Sequence, residues 1–373
     1  MLTKLTRRVA YFLFPLIVGI VFLSHQLFQS HEMLPDIDAN VTSKNKTLTG
    51  FLFNESNIAH IKWRKVNDLD KFNVWALGSS RVLAFREETF NTSFYNLGYT
   101  VSRIADFELL MSKVATDKLP NYLILGLDQW AFNTDWDNEA NGSISETWTE
   151  YDEYPNYSSY KSLASMVLKG IYSPKWGFRK DGTRYGLNAI VNETGFRKDG
   201  SIYYGSVTSR LLLETEVQSE IFLDTYKRIE AGNRKFQYGE KVDDVILQDL
   251  ASFLDFCKNN DIQVVGFLPP FADRIYEAIV KTGKYQYMLD LPIKLAELFN
   301  DYGYEFYNFP HVGIIDSSDA EVIDGFHGGE VSYGKMLVSM LESGSALKNV
   351  ILVDSLKYYL KNPVNRYTLF QYE

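Results

Sequence analysis

Ser80 and His327 are the residues through which this sequence could do chemistry. Ser80 stands in Gly78-Ser79-Ser80, after the apolar run Val74-Trp75-Ala76-Leu77 and before the helix-compatible segment Arg81–Glu88. A strand that ends in a small-residue turn and enters a helix holds a serine at the C-terminal edge of a sheet. The helix N-terminus then aims backbone N–H groups at whatever sits there. That suits a nucleophile and a developing oxyanion. The plainer alternative is a strand-to-helix turn in which Ser80 caps the helix. His327 stands in Asp324-Gly325-Phe326-His327, flanked by Gly328 and Gly329. A carboxylate three residues before an imidazole can fix its tautomer and stabilise the imidazolium formed in turnover. The other four histidines, His25, His31, His60 and His311, have no comparable setting.

The elements that must position these groups follow from periodicity. Strands are expected at Asn73–Gly78, 93–97 and Tyr122–Leu127, with helices at Arg81–Phe90 and Ser102–Thr116 between them. In the second helix Ile104, Phe107, Leu110, Met111 and Val114 recur at three-four spacing. The run 122–127 is continuously apolar, as befits a strand buried on both faces. Strand-helix alternation of this kind implies a parallel sheet with covering helices. It resumes after residue 240, with an amphipathic helix over 242–257, a strand at Ile262–Leu268, a helix at 291–301, a strand at 304–309 and a helix at 330–343.

Between the two halves, 129–236 is rich in Tyr, Trp, Asn, Gly and Ser, and is expected as a long insertion. It contains an echo eighteen residues apart, Gly177-Phe178-Arg179-Lys180-Asp181-Gly182 and Gly195-Phe196-Arg197-Lys198-Asp199-Gly200. Asp-Gly marks a turn. Arg179 and Arg197 are candidates for holding an anionic or sugar ligand, or else belong to two surface turns. Arg81, beside the serine, is a further substrate-binding candidate.

These blocks resemble the SGNH (GDSL-type) hydrolase superfamily. Gly78-Ser79-Ser80 is similar to its Gly-Asp-Ser block, Asn96-Leu97-Gly98 to its second block, and Asp324 with His327 to its Asp-x-x-His block. Gly126-Leu127-Asp128 departs from the Gly-x-Asn block, with Asp128 in place of Asn. The resemblance implies a three-layer α/β sandwich with a mainly parallel, flavodoxin-like central sheet. It implies Ser80 as nucleophile, His327 as base and Asp324 as its partner. It also implies an oxyanion hole from Ser80 N–H, Gly98 N–H and the position of Asp128. An ionised Asp can accept but not donate a hydrogen bond, so Asp128 would have to be protonated, turned away or otherwise employed. The branch most resembled comprises membrane-anchored proteins of teichoic acid D-alanyl transfer and alginate acetylation. It implies a serine O-acyltransferase or esterase working on acyl groups of a cell-surface polysaccharide, beside a multi-pass membrane-bound O-acyltransferase. The alternative is a weak or inactive glycan-binding or scaffold partner of such an enzyme.

Composition and the N-terminus bound the setting. The chain has 373 residues and a net charge of −9, with no long basic run outside the N-terminus, which argues against nucleic acid as partner. One cysteine, Cys257, excludes an intrachain disulfide and reads as a buried small hydrophobe. Scattered His and a lone Cys give no metal-ligand spacing, and no phosphate-cradling glycine loop suggests a nucleotide cofactor. Val9–Phe28 is an uncharged, mostly apolar run preceded by Lys4, Arg7 and Arg8. It has the length of a bilayer-crossing helix, with the basic end expected inside. The expected organisation is a cytoplasmic 1–8, an anchor 9–28, a tether 29–56, an α/β domain 57–345 outside the cytoplasm (periplasmic in a Gram-negative cell), and a tail 346–373 packed on that domain.

Overall fold

Nine strands, numbered in chain order, build two sheets in the computed structural model, which describes residues 2–32, 37–43, 46–69, 71–140, 148–149, 157–173, 183–213 and 222–371. They are β1 (Leu48–Thr49), β2 (Val74–Leu77), β3 (Phe94–Asn96), β4 (Tyr122–Gly126), β5 (Arg184–Tyr185), β6 (Gly195–Arg197), β7 (Ile202–Tyr203), β8 (Gln263–Leu268) and β9 (Glu305–Asn308). The larger sheet has the order β3-β2-β4-β8-β9, and every neighbouring pair is parallel.

Alternate residues of its strands feed two separate cores, as the two-residue period requires. Trp75, Leu77, Leu123 and Leu125 pack with Leu110, Leu250 and Leu295 from the helices Asp106–Ser112, Asp244–Asn259 and Gln286–Tyr302. Val74, Ala76, Ile124 and Val265 pack with Met336 and Leu337 of the helix Glu330–Glu342, and with Leu356, Leu369 and Phe370. Cys257 is buried in the first of these cores. Burial on both faces explains why β2 and β4 read as unbroken apolar runs rather than alternating ones.

The smaller sheet, β5-β1-β6-β7, was not expected from the sequence. β6 and β7 form an antiparallel hairpin through Asp199-Gly200, where Gly200 has φ +81°. This is not a surface turn: Asp199 is buried, and its carbonyl accepts from Asn96 N, joining the hairpin to the end of β3. The buried Lys62 completes the joint, donating to Gly98 O and Gly200 O at 2.7 Å each.

The N-terminal helix Leu2–Gln29 is long and apolar enough over Thr6–Gln29 to cross a membrane. Tyr11, Phe12 and Phe14 are exposed along it, whereas Gln26 and Leu27 are buried. Among the described residues of the stretch expected as a tether, Ser30, Glu32, Asn40, Val41 and Leu48 are buried against the body. Glu32 is fully buried, and its carboxylate accepts from the N–H groups of Leu52, Phe53 and Leu187. Burial pushes the Glu32 carboxyl up, and the backbone donors pull it down, leaving it raised. Leu23 and Leu27 pack with Leu163 of the helix Tyr157–Leu168 and with Leu187.

One expected element is replaced. Arg81–Phe90 is not an α-helix but two short 3₁₀ turns, Ser80–Val82 and Glu87–Thr89. The groups an α-helix would pair internally are taken by other partners. Asn96 Nδ2 donates to Val82 O and Phe85 O, Ile202 N donates to Leu83 O, and Glu87 N donates to Asp199 Oδ2. The expectation of a helix N-terminus behind Ser80 therefore reduces to a single turn, and the helix dipole contributes little there.

Candidate active site

Ser80 leaves the C-terminal end of β2 on a turn set by three glycines. Val82 Cγ atoms sit where a Cβ on Gly78, Gly98 or Gly126 would come within 2.9, 2.7 and 2.3 Å of them. These glycines follow β2, follow β3 and end β4, so Val82 plugs the common edge of three adjacent strands. Any side chain at Gly126 would expel it. Gly78 adopts φ +155° and would also meet Gly126 O. Ser79, not Ser80, caps the turn, with its Oγ accepting from Arg81 N. That leaves Ser80 Oγ for another partner.

The partner is His327. Ser80 Oγ lies 2.8 Å from His327 Nε2, although 247 positions separate them in the chain. His327 Nδ1 lies 2.7 Å from Asp324 Oδ2. The other oxygen, Asp324 Oδ1, accepts from His327 N at 2.9 Å and Phe326 N at 3.2 Å. Burial would raise the Asp324 carboxyl, but the charge and hydrogen bonds of His327, with the Phe326 N–H, hold it down at about 2. Asp324 is thus ionised at neutral pH and can only accept. The tautomer that satisfies both contacts carries its proton on His327 Nδ1, which donates to Asp324, and leaves Nε2 to accept from the Ser80 hydroxyl. The sequence expectation of one cleft holding Ser80, His327 and Asp324 is met in the geometry.

The expected oxyanion hole is assembled only in part. Ser80 N–H has no acceptor among the described residues. Gly98 N–H is already committed, donating to Asn96 Oδ1 at 2.9 Å. Gly98 is needed there for the packing of Val82, and its carbonyl accepts from Lys62. Asp128 is turned onto Arg81, its Oδ1 lying 3.5 Å from Arg81 Nη1, so it offers no donor. One free backbone donor stands where three groups were expected.

Two of the three substrate-binding candidates are structural, and Arg179 lies outside the described residues. Arg81 is 1% exposed. Its guanidinium donates to Phe326 O at 2.9 Å, to Gln129 Oε1 and Pro269 O at 2.7 Å, and to Pro270 O at 2.8 Å. It stacks over Phe271 and Trp130. It therefore ties the ends of β2, β4 and β8 to the loop that carries His327, and has no face left for a ligand. Arg197 is buried too, paired with Glu330 at 2.9 Å and bonded to Ile202 O. Arg86 shares the same Glu330 oxygen at 2.9 Å, so the two arginines and one carboxylate clamp the hairpin to the domain.

Lys235 is a neighbour that no pattern in the sequence marked. Its ammonium lies over the rings of Trp130 at 5.2 Å and Phe326 at 5.7 Å. Burial lowers its pKa, opposed by the nearby Asp128 and Asp324 carboxylates. A second histidine–carboxylate pair joins His311 Nδ1 to Asp273 Oδ1 at 2.7 Å. No group of His, Cys, Asp and Glu among the described residues is arranged to hold a metal ion.

In front of Ser80 and His327 opens a cavity of about 760 Å³. Its walls come from the turn after β2, the hairpin β6–β7, the loop before His327 and the helix Gly205–Leu213. Neither a protein-family model nor a curated protein matches this sequence.

Proposed function

We propose that this is an SGNH-like serine esterase or O-acyltransferase, anchored by its N-terminal helix and acting outside the cytoplasm on acyl groups of a cell-surface polysaccharide. The observation that carries the reading is the relay Ser80 Oγ–His327 Nε2 at 2.8 Å and His327 Nδ1–Asp324 Oδ2 at 2.7 Å, facing one cavity. A serine beside an oriented base is an activated nucleophile. Ser80 attacks the acyl carbonyl and its proton passes to Nε2. The acyl-enzyme forms as the leaving oxygen takes that proton back, and a sugar hydroxyl or water then releases the acyl group. The block order, the all-parallel five-stranded sheet and a core on each of its faces support placing the chain with the three-layer SGNH fold. The polymer substrate and a membrane-bound O-acyltransferase as working partner rest on the sequence resemblance. The test is to replace Ser80 by Ala in cells and assay acyl groups on the surface polymer. Loss of acylation supports the reading, and unchanged acylation refutes it.

One observation favours the second reading, a weak or inactive glycan-binding or scaffold partner. Gly98 N–H and Asp128 are both engaged internally, and losing an oxyanion donor slows acyl transfer on the order of a hundredfold or more. Under that reading, surface acylation survives Ser80→Ala but not deletion of the protein.

A further inference from the structure

From the cavity walls we infer that the acyl group taken by this site is a linear apolar chain of medium length rather than acetyl; this rests on the acyl-transfer reading above. Six side chains carry the inference: Leu83, Phe196, Ile202, Val207, Leu211 and Ile323 line the space in front of Ser80 and His327. They come from four separate segments of the chain, so the apolar wall is not the accident of one helix. Besides Ser80, Asp324 and His327, polar side chains are interleaved with them at Glu55, Tyr99, Thr194, Tyr204 and Arg210, but most of the wall surface is hydrocarbon. A sugar ring would turn those of its hydroxyls that face the six apolar side chains onto hydrocarbon, and a buried hydroxyl without a partner is destabilised by about 1–3 kcal/mol. An alkyl chain meets no such penalty.

Size points the same way. The cavity is about 760 Å³, within the range of roughly 300–1,000 Å³ typical of small-molecule sites. A methylene occupies about the space of a water, roughly 30 Å³, so an eight-carbon chain takes up roughly 240 Å³ and fits with room for the donor's leaving group, whereas acetyl takes up roughly 60 Å³. The walls are held in place. Leu83 O accepts from Ile202 N, and the Phe196 ring packs on Tyr99 at 5.8 Å. In the reaction the Ser80 Oγ–acyl carbon bond forms as the donor's ester C–O bond breaks. The proton goes from Ser80 to His327 Nε2 and on to the departing alkoxide, while the alkyl tail stays in the cavity.

The cavity is also close to the anchor in the chain. Phe53 and Val191 pack in the cluster that holds Leu27 of the N-terminal helix. Glu55 and Thr194, a few residues further along the same two segments, line the cavity.

The experiment uses the full chain in lipid nanodiscs, free of alkyl detergent. p-Nitrophenyl acetate, butyrate, hexanoate and octanoate are compared by kcat/KM. Each added pair of methylenes is expected to raise it on the order of tenfold. Leu211→Trp and, separately, Ile202→Trp are expected to lower the octanoyl-to-acetyl ratio by tenfold or more. A flat or falling chain-length profile, or a ratio unmoved by both tryptophans, overturns the inference while the serine chemistry stands. Binding is read independently of turnover on Ser80→Ala, by calorimetry with sodium octanoate and sodium acetate. Octanoate binding that Leu211→Trp removes supports the cavity assignment even where no ester is turned over, in which case it is the acyl-transfer reading that fails. Absence of octanoate binding overturns the assignment.

Discussion

Asn96 reaches from the end of β3 to the turn that carries Ser80, donating through Nδ2 to Val82 O at 2.8 Å and Phe85 O at 3.0 Å. Its Oδ1 accepts from Gly98 N at 2.9 Å. One fully buried side chain thus takes two of the carbonyls a helix over 81–90 would use and also occupies Gly98 N–H. Asn96→Ala strips buried backbone groups of partners at about 1–3 kcal/mol each. The expected loss is about 2–4 kcal/mol, read as a lower urea midpoint with an unchanged slope. A loss below half of that would mean the turn holds itself.

Arg81 is expected to act on the chemistry through position rather than contact. Its bond to Phe326 O sets the residue next to His327. A lysine presents a compact charge without the planar fork, so it cannot serve the Gln129, Pro269, Pro270 and Phe326 oxygens together. Misplacing a catalytic group by about 1 Å can slow a reaction on the order of a hundredfold. Arg81→Lys is therefore expected to lower kcat by about that factor with KM little changed. A rise in KM alone would return Arg81 to the role of a substrate ligand.

Legibility divided along physical lines. The central strands β2, β4 and β8 were readable because burial on both faces leaves a continuous apolar signature in a few consecutive residues, as in Leu123-Ile124-Leu125. Asp324 and His327 were readable because they share one short loop. The helix expected at 81–90 was not, because its competitors Asn96, Asp199 and Ile202 come from elsewhere in the chain. Arg81 beside a candidate nucleophile looked like a ligand-binding residue. Nothing local says that two proline carbonyls wait nearly two hundred positions away. The smaller sheet escaped because its strands are two or three residues long, too short for any period to show.

Acid should reveal the Asp324 pair. An unfolded aspartate titrates near 3.8, and the folded group near 2. A depressed carboxylate stabilises the fold above the unfolded value, and the contribution fades as pH falls from about 4 to about 2. The side chain keeps 39% of its surface open, so screening makes the effect modest. Wild type and Asp324→Asn are expected to differ in melting temperature at pH 5 and to converge by about pH 2. A gap that stays constant over that range would show that the carboxylate charge is not what the fold holds. In activity, Asp324→Asn is expected to lower kcat on the order of 10³–10⁴-fold through the wrong tautomer.

The central claim is that Ser80 is a nucleophile activated by His327. Its most direct test is to treat the full-length protein with a fluorophosphonate probe and locate the adduct by peptide mass spectrometry. The account predicts an adduct on Ser80, absent in Ser80→Ala and slowed on the order of a hundredfold or more in His327→Ala. No adduct at Ser80, or one whose rate ignores His327, would contradict it.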